Sequence, residues 1–512
     1  MDLVSILSVG LNPTILGTVL VCTLYGAFIG SMPGLTATMA VALLVPFTWF
    51  MDPVQAAAAI VATTTTAIFA GDISGALLKI PGTPASAAYV EDSYRLAQSG
   101  RPRTTLFTAL FASVAGGVIG VVILVVATPQ LADLSRQFSS DEVFWLAALG
   151  LSCAVFVGGP SVPRNFASLF IGLAIATIGI DVAVGHPRYT FGNLELYEGV
   201  SFIPAMIGLF ALSELLRNAA LGKEANLAQL TVEPLWDAIR AAGAEFRRRW
   251  VNVLRSASGG TVIGALPGAG ADIAAWIAYA VSRRFSRQPE SYGKGHIEGV
   301  VDGGAANNAA VAGAWTPALV FGIPGDSVTA IAIGVLMMKG LTPGPGIFTS
   351  DPVLVSTIFG SFLLANILML LTGGLAVSLA SQVLRVPRAV LMPLILLLSL
   401  IGGYAITGSV LAIWIILVLG LLATGMIWAG IPLAPAILGI VLGRIVEDNF
   451  MVSMMKAQGD LTEFFVRDVA AVLGWLTVLV WVALLIRAGL TIYNGPESLR
   501  QKEDKNDRSE QN

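Results

Sequence analysis

The stretch "GAFIGSMPGLTATMAVALLVPF", residues 26–47, is almost entirely apolar, yet it carries a Pro-Gly pair at positions 33 and 34. Proline lacks the N–H for an intrahelical hydrogen bond and clashes with the carbonyl four residues earlier, so the pair predicts a helix break. The stretch "GTVIGALPGAGADIAAWIAYAV", residues 260–281, repeats the spacing G-x-x-x-G-x-x-P-G. Two apolar segments with one shared break pattern indicate an internal repeat.

The composition places these breaks in a membrane protein. Of the 512 residues, 55% are hydrophobic and 12% are charged, and no charged residue occurs from Ala389 to Gly443. One bilayer crossing needs about 20 apolar residues, so that run is long enough for two. The net charge of −3 gives no indication of a nucleic-acid partner. We predict an all-α polytopic membrane protein.

The apolar segments indicate about eleven to thirteen crossings, with the shorter segments predicted to be half-helices or re-entrant arms. They are 11–30, 35–50, 54–71, 74–90, 104–128, 142–158, 164–181, 200–216, 257–281, 302–320, 325–340, 352–381, 388–401, 404–428, 432–446 and 466–489.

Charge divides the chain into four predicted regions. Seven Lys and Arg residues between 217 and 255 predict a basic cytoplasmic connector by the positive-inside rule. It separates a first transmembrane repeat, 1–216, from a second, 256–490. Residues 491–512 are polar and mixed in charge, which predicts a disordered tail.

A second Pro-Gly pair follows the first in each half. "LLKIPGTPASAA" (77–88) matches "LVFGIPGDSVTA" (319–330), with Pro81 and Pro324 offset by 243 residues. At the same offset "ATTTTAIFAG" (62–71) matches "AANNAAVAGA" (305–314). Three matched features in one order predict two related halves.

The flanks of the matched elements differ in charge. After the first element, the flank is "TWFMDP" in the first half and the more basic "SRRFSRQ" in the second. After the second element, the more basic flank is "YRLAQSGRPR" in the first half, and "MMKGLTPGPGIF" in the second is less basic. Equivalent ends therefore face opposite sides of the membrane by the positive-inside rule. This predicts inverted repeats with broken or re-entrant helices, an architecture common in secondary transporters.

Breaks at membrane depth expose backbone polar groups, which persist only against protein or a polar cavity. Amides that begin a helix suit a carboxylate, and the carbonyls before a break suit a cation. The alternative is that the pairs only kink packed helices, with Gly26, Gly30, Gly260 and Gly264 at helix contacts.

Polar residues near the breaks form two predicted groups. The substrate-binding group is Pro33, Gly34, Pro81, Gly82, Thr83, Ser86, Pro267, Gly268, Asn307, Asn308, Pro324, Gly325 and Ser327. The coupling-ion group is Thr64, Thr65, Asp72 and Asp326. Thr83, Ser86 and Asp326 are equally suited to cap helices, and at least two of the four threonines at 63–66 are expected to bond to carbonyls one turn back. Lys79 is open to pairing with Asp72, to binding a substrate carboxylate or to reaching the membrane interface.

These stretches resemble the TctA large membrane subunit of bacterial tripartite tricarboxylate transporters. The resemblance also rests on "GKGHIEGVVDGGAANNAAVAGAWTPALVFGIPGDSVTA" and "PLAPAILGIVLGRIVEDNF", and it covers about residues 11–490. Two departures are Gly303-Gly304, where the family usually has Pro-Glu, and Lys79, where it commonly has Asn.

The resemblance implies a carboxylate importer of the tricarboxylate or dicarboxylate class in the bacterial inner membrane, coupled to Na⁺ or H⁺. It implies two partners, a small four-helix membrane subunit and a periplasmic solute-binding protein. No cofactor is expected apart from the coupling ion, and no enzymatic activity.

Two other functions stay open from the residues alone. Gly71-Asp72 and Gly325-Asp326 prompt an intramembrane aspartyl protease, although neither matches Gly-x-Gly-Asp. A passive channel is the second alternative, and broken helices in matched pairs argue against it.

Overall fold

The computed structural model describes residue 6 and residues 12–135, 138–157, 161–181, 185–221, 233–266, 270–383 and 388–493. Nearly all of these residues are helical, and one short antiparallel pair joins Gly179–Ile180 (β1) to Pro187–Arg188 (β2). The predicted all-α fold is confirmed for this part of the chain. The described chain forms two compact units, Met1–Gln137 with Ser201–Thr424 and Phe138–Val200 with Gly425–Asn512.

The first unit contains most of the helices and all of the predicted site residues. Its helices are α1 (Pro13–Ser31), α2 (Ala37–Thr48), α3 (Pro53–Leu78), α4 (Val90–Gln98), α5 (Pro102–Ser135), α8 (Phe202–Met206), α9 (Ser213–Leu221), α10 (Leu235–Arg248), α11 (Trp250–Gly264), α12 (Gly270–Phe285), α13 (Ile297–Phe321), α14 (Ser327–Met338), α15 (Ile347–Ser350), α16 (Pro352–Val383), α17 (Arg388–Thr407) and α18 (Val410–Trp428). A π-helical turn, Ile207–Leu212, joins α8 to α9.

The second unit is built from four helices and the β1–β2 pair. Its helices are α6 (Ser140–Val157), α7 (Val162–Ala176), α19 (Ala434–Lys456) and α20 (Asp468–Tyr493). Gly172 and Gly439 let α7 and α19 approach closely, because a Cβ at either position would meet the backbone of the other helix. Trp145 on α6 donates its indole N–H to the Phe464 carbonyl at 2.9 Å. Both residues belong to a buried, largely aromatic core cluster of this unit.

Six of the described helices are long and apolar enough to cross a bilayer: α1, α3, α5, α16, α18 and α20. The chain is therefore a multi-pass membrane protein. Three shorter apolar helices, α2, α7 and α14, fall below the length of a crossing, as predicted for half-helices. Six long apolar helices are fewer than the expected eleven to thirteen crossings.

One predicted boundary is wrong. The segments 54–71 and 74–90 were expected to be separate, but α3 runs without interruption from Pro53 to Leu78. Gly71 does not break the helix because it serves packing: a Cβ there would lie 2.9 Å from the Cα of Gly82. A glycine inside a helix is tolerated when a neighbouring backbone needs the space.

The first two long helices of each half pack in the same way. Gly26 and Gly30 of α1 lie against the backbone of Thr63 and Ala67 on α3. Exactly matched positions, at offsets of 234 and 243, place Gly260 and Gly264 of α11 against Ala306 and Ala310 of α13. In both pairs a Cβ on the glycine would collide with a carbonyl, so both contacts depend on glycine.

The third long helix of each half exchanges partners. α5, from the first half, packs mainly on α13 and also on α11, whereas α16, from the second half, packs on α3 and α1. Gly116 and Gly120 of α5 contact Ala305 and Ala309 of α13. The two halves are thus interlocked within one compact unit, and each supplies a helix to the other.

Some predictions fall outside the described residues. These are the Pro267-Gly268 pair, the middle of the basic connector at 222–232 and the tail from 494 to 512. The rest of the connector includes α10, whose Ala238 and Ala242 are fully buried in a core cluster with α5.

Candidate functional site

The first Pro-Gly pair lies in a short non-helical segment. α1 ends at Ser31 and α2 begins at Ala37, and Gly34 between them has a φ of 86°. This left-handed conformation is open to glycine because it has no Cβ. Thr36 then caps α2, since its hydroxyl oxygen accepts the Met39 N–H at 3.2 Å.

The second and fourth pairs each follow a helix that ends in the same conformation. α3 ends before Lys79, which has a φ of 59°, and α13 ends before Gly322, which has a φ of 67°. These residues are 243 positions apart. A left-handed residue closes the last helical turn, and glycine adopts it at lower cost than lysine.

Matched hydrogen bonds follow the same two pairs. The Thr83 and Ser86 side chains each accept the other's backbone N–H, at 3.0 and 3.1 Å. At the positions offset by 243, Asp326 and Thr329 form the same reciprocal pair, at 2.7 and 2.9 Å. The capping role considered for Asp326 is therefore present at the start of α14, whereas Thr83 and Ser86 form their reciprocal pair in a turn and cap no described helix. The second half uses a carboxylate where the first uses a hydroxyl.

The elements of one half contact those of the other. Thr38 Oγ1 on α2 lies 3.0 Å from Ser327 Oγ at the start of α14. In the mirrored arrangement, Trp276 on α12 donates its indole N–H to the Pro84 carbonyl at 3.2 Å. In each half, the helix after the first Pro-Gly pair (α2 or α12) thus contacts the segment after the second Pro-Gly pair of the other half.

The Pro267-Gly268 pair is not described, but the residue that starts the next helix is. Gly270 has a φ of 50°, and a Cβ there would lie 2.6 Å from Asp326 Cβ. The first residue of α12 therefore sits against the cap of α14. This contact brings the start of α12 next to the start of α14.

Asn307 and Asn308 on α13 are both buried and have different partners. Asn308 donates its side-chain amide to the Ser113 carbonyl at 2.9 Å and to Asn366 Oδ1 at 2.8 Å. Asn307 donates to the Tyr89 hydroxyl at 3.3 Å, and its Oδ1 is buried without a hydrogen-bond partner. Asn308 thus ties three helices together, whereas Asn307 keeps an open acceptor.

The threonine run on α3 behaves as expected. Thr64 and Thr65 donate to the carbonyls of Ile60 and Val61, one turn back, at 2.7 and 2.8 Å. These bonds confirm the predicted backbone bonding and leave hydroxyl lone pairs available. Thr66 Oγ1 is buried without a partner.

Asp72 is a buried carboxylate, 4% exposed. Its Oδ1 accepts the Tyr89 hydroxyl at 2.8 Å. The Tyr89 ring packs where a Cβ of Gly303 would be, so Tyr89 bridges Asp72 on α3 to α13. The departure from Pro-Glu at Gly303 thus provides room for a contact between the halves.

Lys79 lies beside Asp72 in sequence but pairs elsewhere. Its ammonium group lies 2.6 Å from Glu91 Oε2 and 5.9 Å from the centre of the Tyr94 ring. Both Lys79 and Glu91 are partly exposed. This ammonium group, with Arg95, holds the pKa of Glu91 below its ordinary value. The structure therefore does not show the predicted pairing of Lys79 with Asp72.

Sequence reasoning missed three residues of this site: Thr38, Tyr89 and Asn366. Asn366 is the detectable case, because an amide near the middle of the charge-free helix α16 has no partner in hydrocarbon. Tyr89 gives no such signal, since a tyrosine after "PASAA" is equally typical of a helix start at a membrane interface.

The arrangement can bind both anions and cations. The helix starts at α2, α12 and α14 supply amide N–H groups, and the buried oxygens of Asp72 and Asn307 are acceptors. Asp72 and Asp326 have separate partners in the described chain, Tyr89 and Thr329, whereas an aspartyl protease needs two carboxylates that share a proton.

Two known proteins are similar to this sequence, one over almost its whole length and one over part of it. A protein of Agrobacterium vitis named "Uncharacterized 52.8 kDa protein in TAR-I ttuC' 3'region" is 32% identical over 509 residues, covering 99% of each chain. Another from the same organism, "Uncharacterized protein in TAR-II ttuC' 3'region", is 36% identical over 227 residues, 44% of this chain and 94% of the relative. No solved structure matches.

The family model described as "Tripartite tricarboxylate transporter TctA family" matches residues 16–438. That range includes every predicted site residue and both interlocked halves. The chain belongs to the tripartite tricarboxylate transporter TctA family.

Proposed function

We propose that this chain is the translocating subunit of a cation-coupled carboxylate importer in the bacterial inner membrane. A periplasmic solute-binding protein would deliver the substrate, and a small four-helix membrane subunit would complete the complex. Membership of a tripartite transporter family supports this proposal.

The observation that carries the proposal is the mirrored pair of contacts, Thr38 with Ser327 and Trp276 with Pro84. If the halves are inverted repeats, these contacts surround one site near the middle of the bilayer. Rocking one half against the other would then open that site to each side in turn.

The substrate's carboxylates would be held by amides that begin helices after the breaks. α14 begins at Ser327, whose hydroxyl would donate to the substrate, while the Asp326 carboxylate already accepts the Thr329 N–H. A dianion is very costly in a low-dielectric interior. Several donors must therefore converge on it, and a bound cation must neutralise part of its charge.

The coupling cation would lie near Asp72, with Thr64 and Thr65 as additional oxygen ligands and Asp326 at the second break. Na⁺ and H⁺ are both compatible with these oxygen ligands. The cation would enter and leave with the substrate, since an uncompensated Asp72 is costly when buried.

Uptake of radiolabelled citrate and tartrate into proteoliposomes that contain the three subunits tests the proposal. We expect accumulation above the external concentration that requires an imposed ion gradient and the binding protein. Uptake that only equilibrates would favour the channel, and absence of uptake with either acid would contradict the carboxylate assignment. Ser327→Ala is expected to weaken uptake, with Ser350→Ala, on the short helix α15, as the control.

A further inference from the structure

The hydrogen-bond chain Asn307–Tyr89–Asp72 has a fixed direction. Asn307 donates its N–H to the Tyr89 oxygen, and Tyr89 donates its hydroxyl to Asp72 Oδ1. A phenol has one proton, so while Asn307 donates to Tyr89, the Tyr89 proton goes to Asp72, which can accept it as an ionised carboxylate. In this state Asn307 Oδ1 is left without a donor, although it is buried.

Adding one proton to Asp72 reverses the chain. The carboxylic acid can donate its O–H to the Tyr89 oxygen, which frees the Tyr89 hydroxyl proton to point at Asn307. If the Asn307 amide turns over, its Oδ1 accepts that proton, and the buried acceptor is satisfied. The reversal also releases the Asn307 NH₂ group from Tyr89. That group becomes available to donate to a carboxylate.

From this geometry we infer that Asp72 binds the coupling proton and that Tyr89 transmits its presence to Asn307, a substrate-binding residue. Protonated Asp72 would favour carboxylate binding, and ionised Asp72 would favour release. The inference rests on the proposed function and names the coupling ion left open there.

The surroundings of Asp72 support a proton over a metal cation. One carboxylate with one hydrogen-bond donor is costly when ionised and buried, and a proton neutralises it without a coordination shell. Na⁺ would have to recruit several more oxygen ligands around Asp72 to complete its coordination shell.

The titratable group that faces Asp72 is the Tyr89 hydroxyl. The other charged groups on the neighbouring helices have their own partners. Among them, Glu91 pairs with Lys79 and Arg95, Asp92 with Tyr279, Arg103 with the Glu233 carbonyl, Glu298 with Ser286, Asp302 with Arg255 and Asp326 with Thr329. The Tyr25 hydroxyl on α1 donates to the Ala40 carbonyl. In the described chain, Asp72 is thus left without a cationic side chain.

Infrared difference spectra of the purified protein between acidic and alkaline pH test the protonation step without any substrate. We expect a carboxylic-acid carbonyl band from a buried aspartic acid. Asp72→Asn should abolish this band, and Tyr89→Phe should shift its frequency because a hydrogen-bond partner is lost. Asp52→Asn is the matched control, since Asp52 caps the same helix and asparagine caps equally well. A band that persists in Asp72→Asn, or its absence from the unaltered protein, would overturn the inference.

Transport measurements test the coupling. We expect proton-driven accumulation of citrate or tartrate to be lost in Asp72→Asn and in Tyr89→Phe, with exchange of labelled for unlabelled substrate retained. Accumulation that follows a Na⁺ gradient at constant pH would overturn the inference while the proposed function stands. If the unaltered protein moves neither acid, the proposed function fails, and the infrared result still decides whether Asp72 titrates.

Discussion

The two halves of the first unit share one packing pattern but differ in their polar chemistry. At matched positions, Thr64 and Thr65 in the first half correspond to Asn307 and Asn308 in the second, and Asp72 corresponds to Trp315. The glycine contacts that hold α1 to α3 and α11 to α13 fall at equivalent positions. The two halves therefore have the same glycine packing but different polar groups at these positions.

This difference indicates a division of labour. At these matched positions, the first half places a buried acid and the second half places buried side-chain amides. Tyr89 joins the two at Gly303. Two copies of one packing scheme thus hold two different chemical groups close enough to interact.

The largest expected effect tests whether both halves depend on the same glycine contact. We expect Gly30→Leu and Gly264→Leu each to destabilise the protein by about 3 kcal/mol or more, because the side chain would collide with backbone. Gly17→Leu and Gly259→Leu are the controls on the same helices, since no atom lies within 4 Å of a Cβ at either position. Thermal unfolding in detergent measures the effect. Equal losses in targets and controls would contradict the shared packing.

A second pair of variants compares the polar clusters. Asn308→Leu should cost about 2 kcal/mol, because it removes the side-chain donor to the Ser113 carbonyl and to the buried Asn366 Oδ1. Thr65→Val, at the matched position, should cost less than about 1 kcal/mol, because its hydroxyl bonds only within its own helix. Unfolding curves of the two variants decide the comparison, and a larger loss for Thr65→Val would reverse it.

The left-handed helix ends offer a smaller, reciprocal test. We expect Gly322→Lys to cost about 1 kcal/mol, because lysine enters this conformation with strain. Its Cβ would also lie 2.8 Å from the Pro343 carbonyl oxygen. Lys79→Gly should be nearly neutral, since relief of strain offsets the loss of the ion pair with Glu91. If both variants lower the unfolding temperature equally, Lys79 suits its helix end as well as Gly322 suits its own. The two helix ends would then not be equivalent.

The smallest effect concerns the Lys79–Glu91 pair, and it depends on pH. A carboxyl whose pKa is lowered on folding stabilises the folded state above its unfolded pKa. That contribution disappears as the pH falls through its folded pKa. Glu91→Gln should therefore cost about 0.5 kcal/mol at neutral pH and nothing in acid. Unfolding followed across the acidic range checks this, and a pH-independent loss would assign the effect to packing.

Much of the fold could be predicted because apolar length and Pro-Gly breaks act locally. The predicted segments 352–381 and 302–320 agree closely with α16 and α13. The break expected near Gly71 failed because the need for glycine there comes from Gly82, a contact that periodicity does not reveal. The exchange of α5 and α16 between the halves was likewise invisible, since it depends on how whole helices pack.

The candidate site, like the fold, could be predicted only in part from the sequence. The capping role of Asp326 followed from its position after a Pro-Gly pair. The partner of Asp72 did not, because Tyr89 is seventeen residues away and reaches it only after the chain turns back. Pairing in space, rather than residue type, was the missing information.

Disulfide trapping of Thr38→Cys with Ser327→Cys tests the central claim most directly, in a background with Cys22 and Cys153 replaced by alanine. Thr38→Cys with Met337→Cys, near the other end of α14, is the control. The account predicts that the first pair cross-links in native membranes, that the cross-link blocks citrate or tartrate uptake, and that reduction restores it. Failure of the first pair to cross-link, or full uptake in the cross-linked protein, would contradict a translocation site where the two halves meet.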